Sequence, residues 1–276
     1  MKAVISGQSG FIGSHLHQAL LSRKYSVARI TQEVLYSPNN LKAFFKEEQP
    51  DYIFHLASYG NHNNQTDRAM TIFSNIIGTY NMLDASLDIA YKAFFYFSSS
   101  SVRLPHETFY SAAKASAERI IRAFINVFDK PIITIRPFSI YGPGEADFRF
   151  IPTIIRSIET KQKMALDPDP MHDWIYIDDM IDALIFLLTP KHITYAKGQR
   201  IQIGTGEQAT NIGVAEMLRE ISGKELKYEF ERNMRPYDTK FWKADTAFMN
   251  TLGWKTKVSL EEGLRKTYQW HKEKYE

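Results

Sequence analysis

Tyr110 and Lys114 stand four residues apart in Tyr110-Ser111-Ala112-Ala113-Lys114. On a helix, that spacing puts a phenol and an ammonium on one face, one turn apart. Taken alone, Tyr-x-x-x-Lys is an ordinary exposed helical pair, and its position is what gives it chemistry. The pair opens a helix that follows the apolar run 94–97, and that run ends in Ser98-Ser99-Ser100-Ser101. A hydroxyl, a phenol and an ammonium at one strand end make a proton-transfer device. A free phenol has a pKa of about 10, and bringing it near 7 takes ~4 kcal/mol of differential stabilisation. A close ammonium supplies part of that. A serine at the strand end would orient the oxygen that receives the proton.

A second cluster lies at residues 7–13, in Gly7-Gln8-Ser9-Gly10-Phe11-Ile12-Gly13. In a dinucleotide-binding turn the three glycines have separate tasks: a tight bend, close approach of backbone to phosphate, and close helix–sheet packing. The helix that follows offers free N–H groups and its positive dipole end to a pyrophosphate. The spacing also suits a plain βα turn, but the strand before it and the amphipathic helix after it favour a nucleotide cofactor. Gly7, Gly10, Phe11, Ile12 and Gly13 are then its contacts. The second strand should end on the residue that reads the adenosine ribose, and Arg29-Ile30-Thr31-Gln32-Glu33 puts Thr31 there. An Asp or Glu would accept from a 2′-hydroxyl and favour NAD. Its absence, with Arg29 close by, favours NADP, while Arg29 also suits a solvated strand position and NAD stays open. In the oxidised cofactor the nicotinamide charge would add to the pull of Lys114 on the phenol.

Both clusters need a scaffold. Strand-like runs at 3–6, 26–30, 51–57, 93–98 and 132–136 alternate with helical patterns near 11–22, 40–48, 66–90 and 109–128. Nearly continuous apolar strands with intervening helices predict an α/β fold, a Rossmann-type doubly wound parallel sheet. After Ile140 the alternation loosens around Gly142-Pro143-Gly144 and Asp167-Pro168-Asp169-Pro170. Helical patterns return near 177–188, 210–221 and 259–274, with short strands at 200–203 and 226–230. The expected division is an NAD(P)-binding domain over 1–140, joined by parts of 172–205, and a smaller C-terminal α+β region, mainly substrate-binding, over 141–276.

Composition narrows the function. The 276 residues are 44% hydrophobic and 24% charged, as in a soluble globular protein. A net charge of +3 is too small to argue for nucleic acid or an acidic membrane, and neither is expected as a partner. With no cysteine, the chain has no disulfides, thiolate zinc sites or cysteine nucleophiles. No His/Asp/Glu spacing points to a metal. The apolar run 183–188 is far below the ~20 residues that cross a bilayer, and with no export signal the expected location is cytoplasmic.

Together these residues resemble the extended branch of the short-chain dehydrogenase/reductase superfamily, the NAD(P)-dependent epimerase/dehydratase family that acts on nucleotide sugars. Further matches are His55-Leu56-Ala57, Asn75-Ile76-Ile77-Gly78-Thr79, the run from Arg136-Pro137 to Gly144, His172-Asp173-Trp174-Ile175-Tyr176-Ile177-Asp178-Asp179, Arg235-Pro236 and Leu252-Gly253-Trp254. The resemblance implies that Tyr110 is the general acid/base and that Lys114 is its partner and holds the nicotinamide ribose. It implies a catalytic serine at Ser99 or Ser100, and cofactor contacts at Leu56, Ala57 and Pro137. Arg235 resembles the arginine that grips the substrate diphosphate. His172 stands where an arginine is usual, and Ser139 where an asparagine is common near substrate.

Relatives that dehydrate the sugar carry an Asp-Glu pair after the catalytic hydroxyl, whereas here serines and Val102 follow. Relatives that combine 3,5-epimerisation with reduction use a cysteine, which this chain lacks. Ketone reduction and C4 epimerisation remain. The short path from second strand to Asp51, the ten or so residues between the serines and Tyr110, and the NADP preference all favour reduction. The resemblance is then to CDP-paratose and CDP-abequose synthase type 4-ketoreductases, which residues 58–64 also resemble. One alternative is a nucleotide-sugar C4 epimerase that retains NAD. Another is a non-catalytic dinucleotide sensor, although sensors on this fold commonly lose the tyrosine or the lysine. A homodimer through the helices near 66–90 and 109–128 is the family expectation. His62 suits either the substrate mouth or a polar loop, and Phe148 and Phe150 either helix packing or a base-binding wall. His15 and His17 read as surface or packing residues.

Overall fold

A computed structural model describes residues 1–62, 64–231 and 240–273. The apolar runs form a six-stranded parallel sheet. Its strands are β1 (Lys2–Ser6), β2 (Ser26–Ile30), β3 (Tyr52–His55), β4 (Ala93–Phe97), β5 (Ile132–Pro137) and a sixth, Arg200–Ile203. The order across the sheet is Arg200–Ile203, β5, β4, β3, β1, β2. Every residue of β3 and β4 is buried, as helices on both faces require. The strand order reverses between β1 and β3, and a parallel sheet binds its ligands beyond the carboxyl ends of the strands at such a point. The glycine turn follows β1 and Leu56-Ala57 follows β3.

Local chemistry explains the helices. α1 (Phe11–Ser22) buries Gly13, Leu16 and Leu20. The hydroxyls of Thr31 and Ser37 each accept from the backbone N–H three residues on, so two short helices, α2 (Gln32–Tyr36) and α3 (Pro38–Glu48), stand where the pattern predicts one. The helix expected over 66–90 is a shorter run: α4 (Arg68–Ile72) capped by Asp67, a π-helical turn at Phe73–Ile77, and α5 (Gly78–Ala85). α6 (Phe109–Phe128) starts with a capping box between Thr108 and Ser111.

The chain forms two compact units, Met1–Pro137 with Ala183–Ile201, and Phe138–Asp182 with Gln202–Glu276. In the second, three two-stranded ladders pair Ser139–Tyr141 with Trp174–Tyr176, Met171–His172 with Ala209–Thr210, and Met164–Leu166 with Tyr228–Phe230. Asp173 ties this unit together. Fully buried, it accepts from Thr205 N (2.7 Å), Thr205 Oγ1 (2.8 Å), Gly206 N (2.9 Å) and Ala244 N (2.9 Å). Asp179 accepts from the Lys257 and Val258 amides, and Asp182 from Trp254 Nε1 at 2.9 Å. Much of the motif from His172 to Asp179, and of Leu252-Gly253-Trp254, thus serves to pin loops. Among the described residues no helix is long and apolar enough to cross a membrane.

Candidate active site

The glycine turn has the form a pyrophosphate needs. Gly7 has φ +77°, and a Cβ there would lie 2.7 Å from the Ala57 nitrogen. A Cβ on Gly13 would run into the Gly7 carbonyl oxygen. Gly10 N–H donates to that carbonyl at 3.1 Å. Gly10 is also the N-cap of α1 and has no side chain to cap it, so the amides of Phe11, Ile12 and Gly13 are left for a ligand. Gln8 Oε1 is buried in this turn without a hydrogen-bond partner. An uncapped helix end, two positions closed to any Cβ and an orphaned acceptor fit a dinucleotide. Thr31, expected to read the ribose, is exposed and caps α2 through Val34 N (3.3 Å).

The carboxyl ends of β1, β3 and β4 carry a buried polar row. Register aligns Ser6 with His55 and His55 with Tyr96. Thr79 Oγ1 donates to the Asn75 carbonyl at 2.7 Å, so at 3.0 Å it accepts from His55 Nε2–H. His55 Nδ1 must then accept from the Ser6 hydroxyl (2.6 Å), whose oxygen takes the Ala57 amide (3.3 Å). Every group in that chain is satisfied with His55 neutral. Burial, then the nearby Lys114 charge, push its pKa down to about 3.

Lys114 is 2% exposed. Its Nζ donates to the Phe97 carbonyl at 2.7 Å, and lies 5.1 Å from the Tyr96 ring centroid and 5.9 Å from that of Tyr110. Burial lowers its pKa to about 7, against the pull of Glu118. The Glu118 carboxylate is engaged elsewhere, by Ser98 Oγ (2.5 Å) and by Arg136 Nε (2.8 Å) and Nη2 (2.5 Å). Tyr110 is half-buried in the first turn of α6. Ser99 caps a 3-10 turn at Ser100–Arg103, accepting from Ser101 N at 3.1 Å and pairing with Ser101 Oγ at 2.8 Å. Ser100, beside it, is buried.

His62 lies in a turn closed by Gln65, whose Oε1 accepts from Gly60 N (2.9 Å) and His62 N (3.2 Å). Asn75 holds that segment: its Nδ2 donates to Tyr59 O (2.7 Å) and Thr71 O (2.8 Å), and its Oδ1 is buried without a partner. Leu56 N donates to Ser6 O (3.1 Å), and Pro137 ends β5.

The second unit gathers three of the expected substrate residues. Ser139 Oγ meets His172 Nδ1 at 3.3 Å, and Phe150 stacks on Trp174 at 5.8 Å between centroids. The His172 ring packs between Trp174 (5.1 Å) and Trp242 (5.2 Å). Both indole N–H groups are buried without partners among the described residues, and an indole nitrogen can only donate. Trp242 escapes notice in the sequence because it sits in no regular element. Glu145 also lies in an irregular segment: its Oε2 is buried and unpartnered among the described residues, and burial pushes its pKa up to about 8. Arg235 lies outside the described residues.

Residues 3–204 match the NAD dependent epimerase/dehydratase family. A probable GDP-L-fucose synthase of Oryza sativa is 26% identical over 99% of this chain and 92% of that protein. A dTDP-glucose 4,6-dehydratase of Escherichia coli is 26% identical over 98% of this chain and 92% of its own length. The crystal structure of UDP-glucuronic acid 4-epimerase from Bacillus cereus, in complex with UDP-glucuronic acid and NAD, superposes with TM-score 0.85, 27% identity and full coverage of both chains. With the glycine turn and the Tyr110–Lys114 pair in place, the chain belongs to the NAD dependent epimerase/dehydratase family, the nucleotide-sugar-modifying branch of the extended short-chain dehydrogenases/reductases.

Proposed function

We propose that this chain reduces the 4-keto group of a nucleotide-linked deoxysugar. The observation that carries the tyrosine-dependent redox chemistry, common to this reading and the second, is Lys114, an ammonium buried at the end of β4 with its charge close to the Tyr110 ring; the absence of an acid at the end of β2, which suits NADPH, favours reduction. When bound, the nicotinamide supplies the hydride. Tyr110 gives its proton to the oxygen that becomes an alkoxide, and the Lys114 charge makes the phenol acidic enough to do so. A serine hydroxyl polarises the carbonyl. Ser99 and Ser100 are both candidates, because Ser99 caps the turn by accepting and a hydroxyl that accepts keeps its proton to donate. The sequence after these serines lacks the Asp-Glu pair that sugar dehydration uses, and the absence of cysteine removes the 3,5-epimerase route.

NADPH is the favoured coenzyme: no acid stands at the end of β2, and exposed Arg29 is available to a 2′-phosphate. His172, Ser139 and Phe150, with Arg235, would hold the nucleotide sugar. Ile72, Phe73, Ile77 and Tyr80 on the helical run 68–85, with Phe109, Val127 and Phe128 on α6, are large and exposed, which supports a homodimer through these helices. C4 epimerisation is the second reading, favoured by the likeness to the Bacillus cereus epimerase, and it uses the same tyrosine and lysine. The experiment is a panel of CDP-, GDP-, UDP- and dTDP-linked sugars, the 4-keto forms offered with NADPH or NADH and the corresponding 4-hydroxy forms offered with NAD. Coenzyme consumed one for one supports reduction; conversion without net consumption makes the chain an epimerase. Tight coenzyme binding with no turnover on any sugar would mean a sensor.

A further inference from the structure

The charge on Lys114 has few neighbours that favour it. Among the described residues its Nζ has one hydrogen-bond acceptor, the Phe97 carbonyl. Glu118, one turn along α6, is held by Ser98 and Arg136. From β3, His55 is neutral, its Nδ1 and Nε2 both committed. From α6, Tyr110 presents its ring at 5.9 Å. The closest aromatic face is that of Tyr96, at 5.1 Å. Tyr96 is fully buried in β4, next to the residue whose carbonyl receives the ammonium. Its hydroxyl lies beside Thr79 and meets no partner at hydrogen-bond geometry among the described residues, so the ring, not the hydroxyl, accounts for its contact with Lys114.

We propose that Tyr96 is a positioning residue: its ring face holds the Lys114 ammonium at the end of β4, and the charge so held acts on Tyr110. An aromatic face is the negative end of the ring quadrupole, and its attraction for an ammonium grows as water is excluded. Strand register fixes the ring, because Tyr96 pairs with His55 on one side and Thr134 on the other. The inference rests on Tyr110 and Lys114 being the proton-transfer pair.

The test reads Lys114 without substrate or coenzyme. Isotopically labelled lysines are titrated by NMR in the whole protein, with Lys114 assigned by the signal lost in Lys114→Met. Tyr96→Phe keeps the ring and should leave the Lys114 titration as in wild type. Tyr96→Leu should lower its midpoint by about one pH unit, a tenfold change in the protonation equilibrium. Tyr96→pentafluorophenylalanine keeps the shape of the ring while withdrawing charge from its face. It should move the midpoint the same way, and it carries the test if the leucine variant does not fold. An unmoved midpoint in the fluorinated variant, or an equal shift in Tyr96→Phe, overturns the role given to Tyr96. In the same variants the pH profile of kcat/KM should follow Lys114 while the KM for coenzyme holds. A shifted lysine with an unmoved profile would instead overturn the assignment of Tyr110 and Lys114, leaving the Tyr96 contact intact.

Discussion

Replacing Lys114 with methionine should make the protein inactive and more stable. A lysine in an unfolded chain titrates near 10.4, and in the fold burial brings Lys114 to about 7. The unfolded chain therefore holds this proton more tightly, and the buried ammonium opposes folding. The penalty is complete below pH 7 and is relieved as pH rises toward the unfolded value. The difference amounts to about 4 kcal/mol near neutral pH. Methionine fills similar space but leaves the Phe97 carbonyl without a donor, which costs about 1–2 kcal/mol. The net gain is roughly 2 kcal/mol, or about 4–8 °C in Tm at this chain length. Thermal and urea unfolding at pH 7 measure it directly, and repeating them at pH 9–10 should shrink the advantage. A lower Tm for Lys114→Met at pH 7 would refute the reasoning, since Lys114 would then be supporting the fold.

His55 supplies a second pH signal of the same sign. Its folded pKa of about 3 lies below the ordinary value, so its stabilisation is whole above about pH 6.5 and drains as pH falls toward 3. Unfolding free energy should fall by about 1.4 kcal/mol per pH unit in that window on its account, and the slope should flatten in His55→Asn; parallel curves would contradict the neutral tautomer. Asp173→Asn turns an amide toward donors that now meet carboxylate, and should cost about 3 kcal/mol in urea unfolding, with a loss under 1 kcal/mol counting against the pin. Trp242→Phe keeps the ring against His172 and removes the N–H. If that donor meets substrate, KM for the nucleotide sugar rises about five- to tenfold with kcat unchanged; an unchanged KM excludes the contact.

What could be read ahead of the structure followed from local spacing. The glycines three apart, the alternating runs and the Tyr110–Lys114 interval each have a meaning within one turn or strand, and the α/β sheet followed from them. The row Ser6, His55, Tyr96 was beyond that reach, because it exists only through register between strands far apart in sequence. Tyr96 looked like one more core aromatic in the run 94–97, since its hydrophobic pattern is the same whether or not an ammonium rests on its face. Thr31 shows the converse. Its position suits a ribose contact and its hydroxyl also caps α2, and the helix start at Gln32 was hidden by a pattern that suggested only one helix between β2 and β3. The π turn at Phe73–Ile77 left no mark in a helical period, though it buries Asn75 with an oxygen unclaimed. Trp242 and Glu145 lie in irregular segments where periodicity carries no information.

The most direct measurement follows the hydride and the proton together: NADPH deuterated at nicotinamide C4, one turnover on a nucleotide-linked 4-keto sugar, and mass spectrometry of the product. Wild type should place one deuterium on the sugar for each coenzyme oxidised, and Tyr110→Phe should bind the coenzyme as tightly yet transfer about a hundredfold more slowly or worse. Label transferred at the same rate without the phenol would contradict the account.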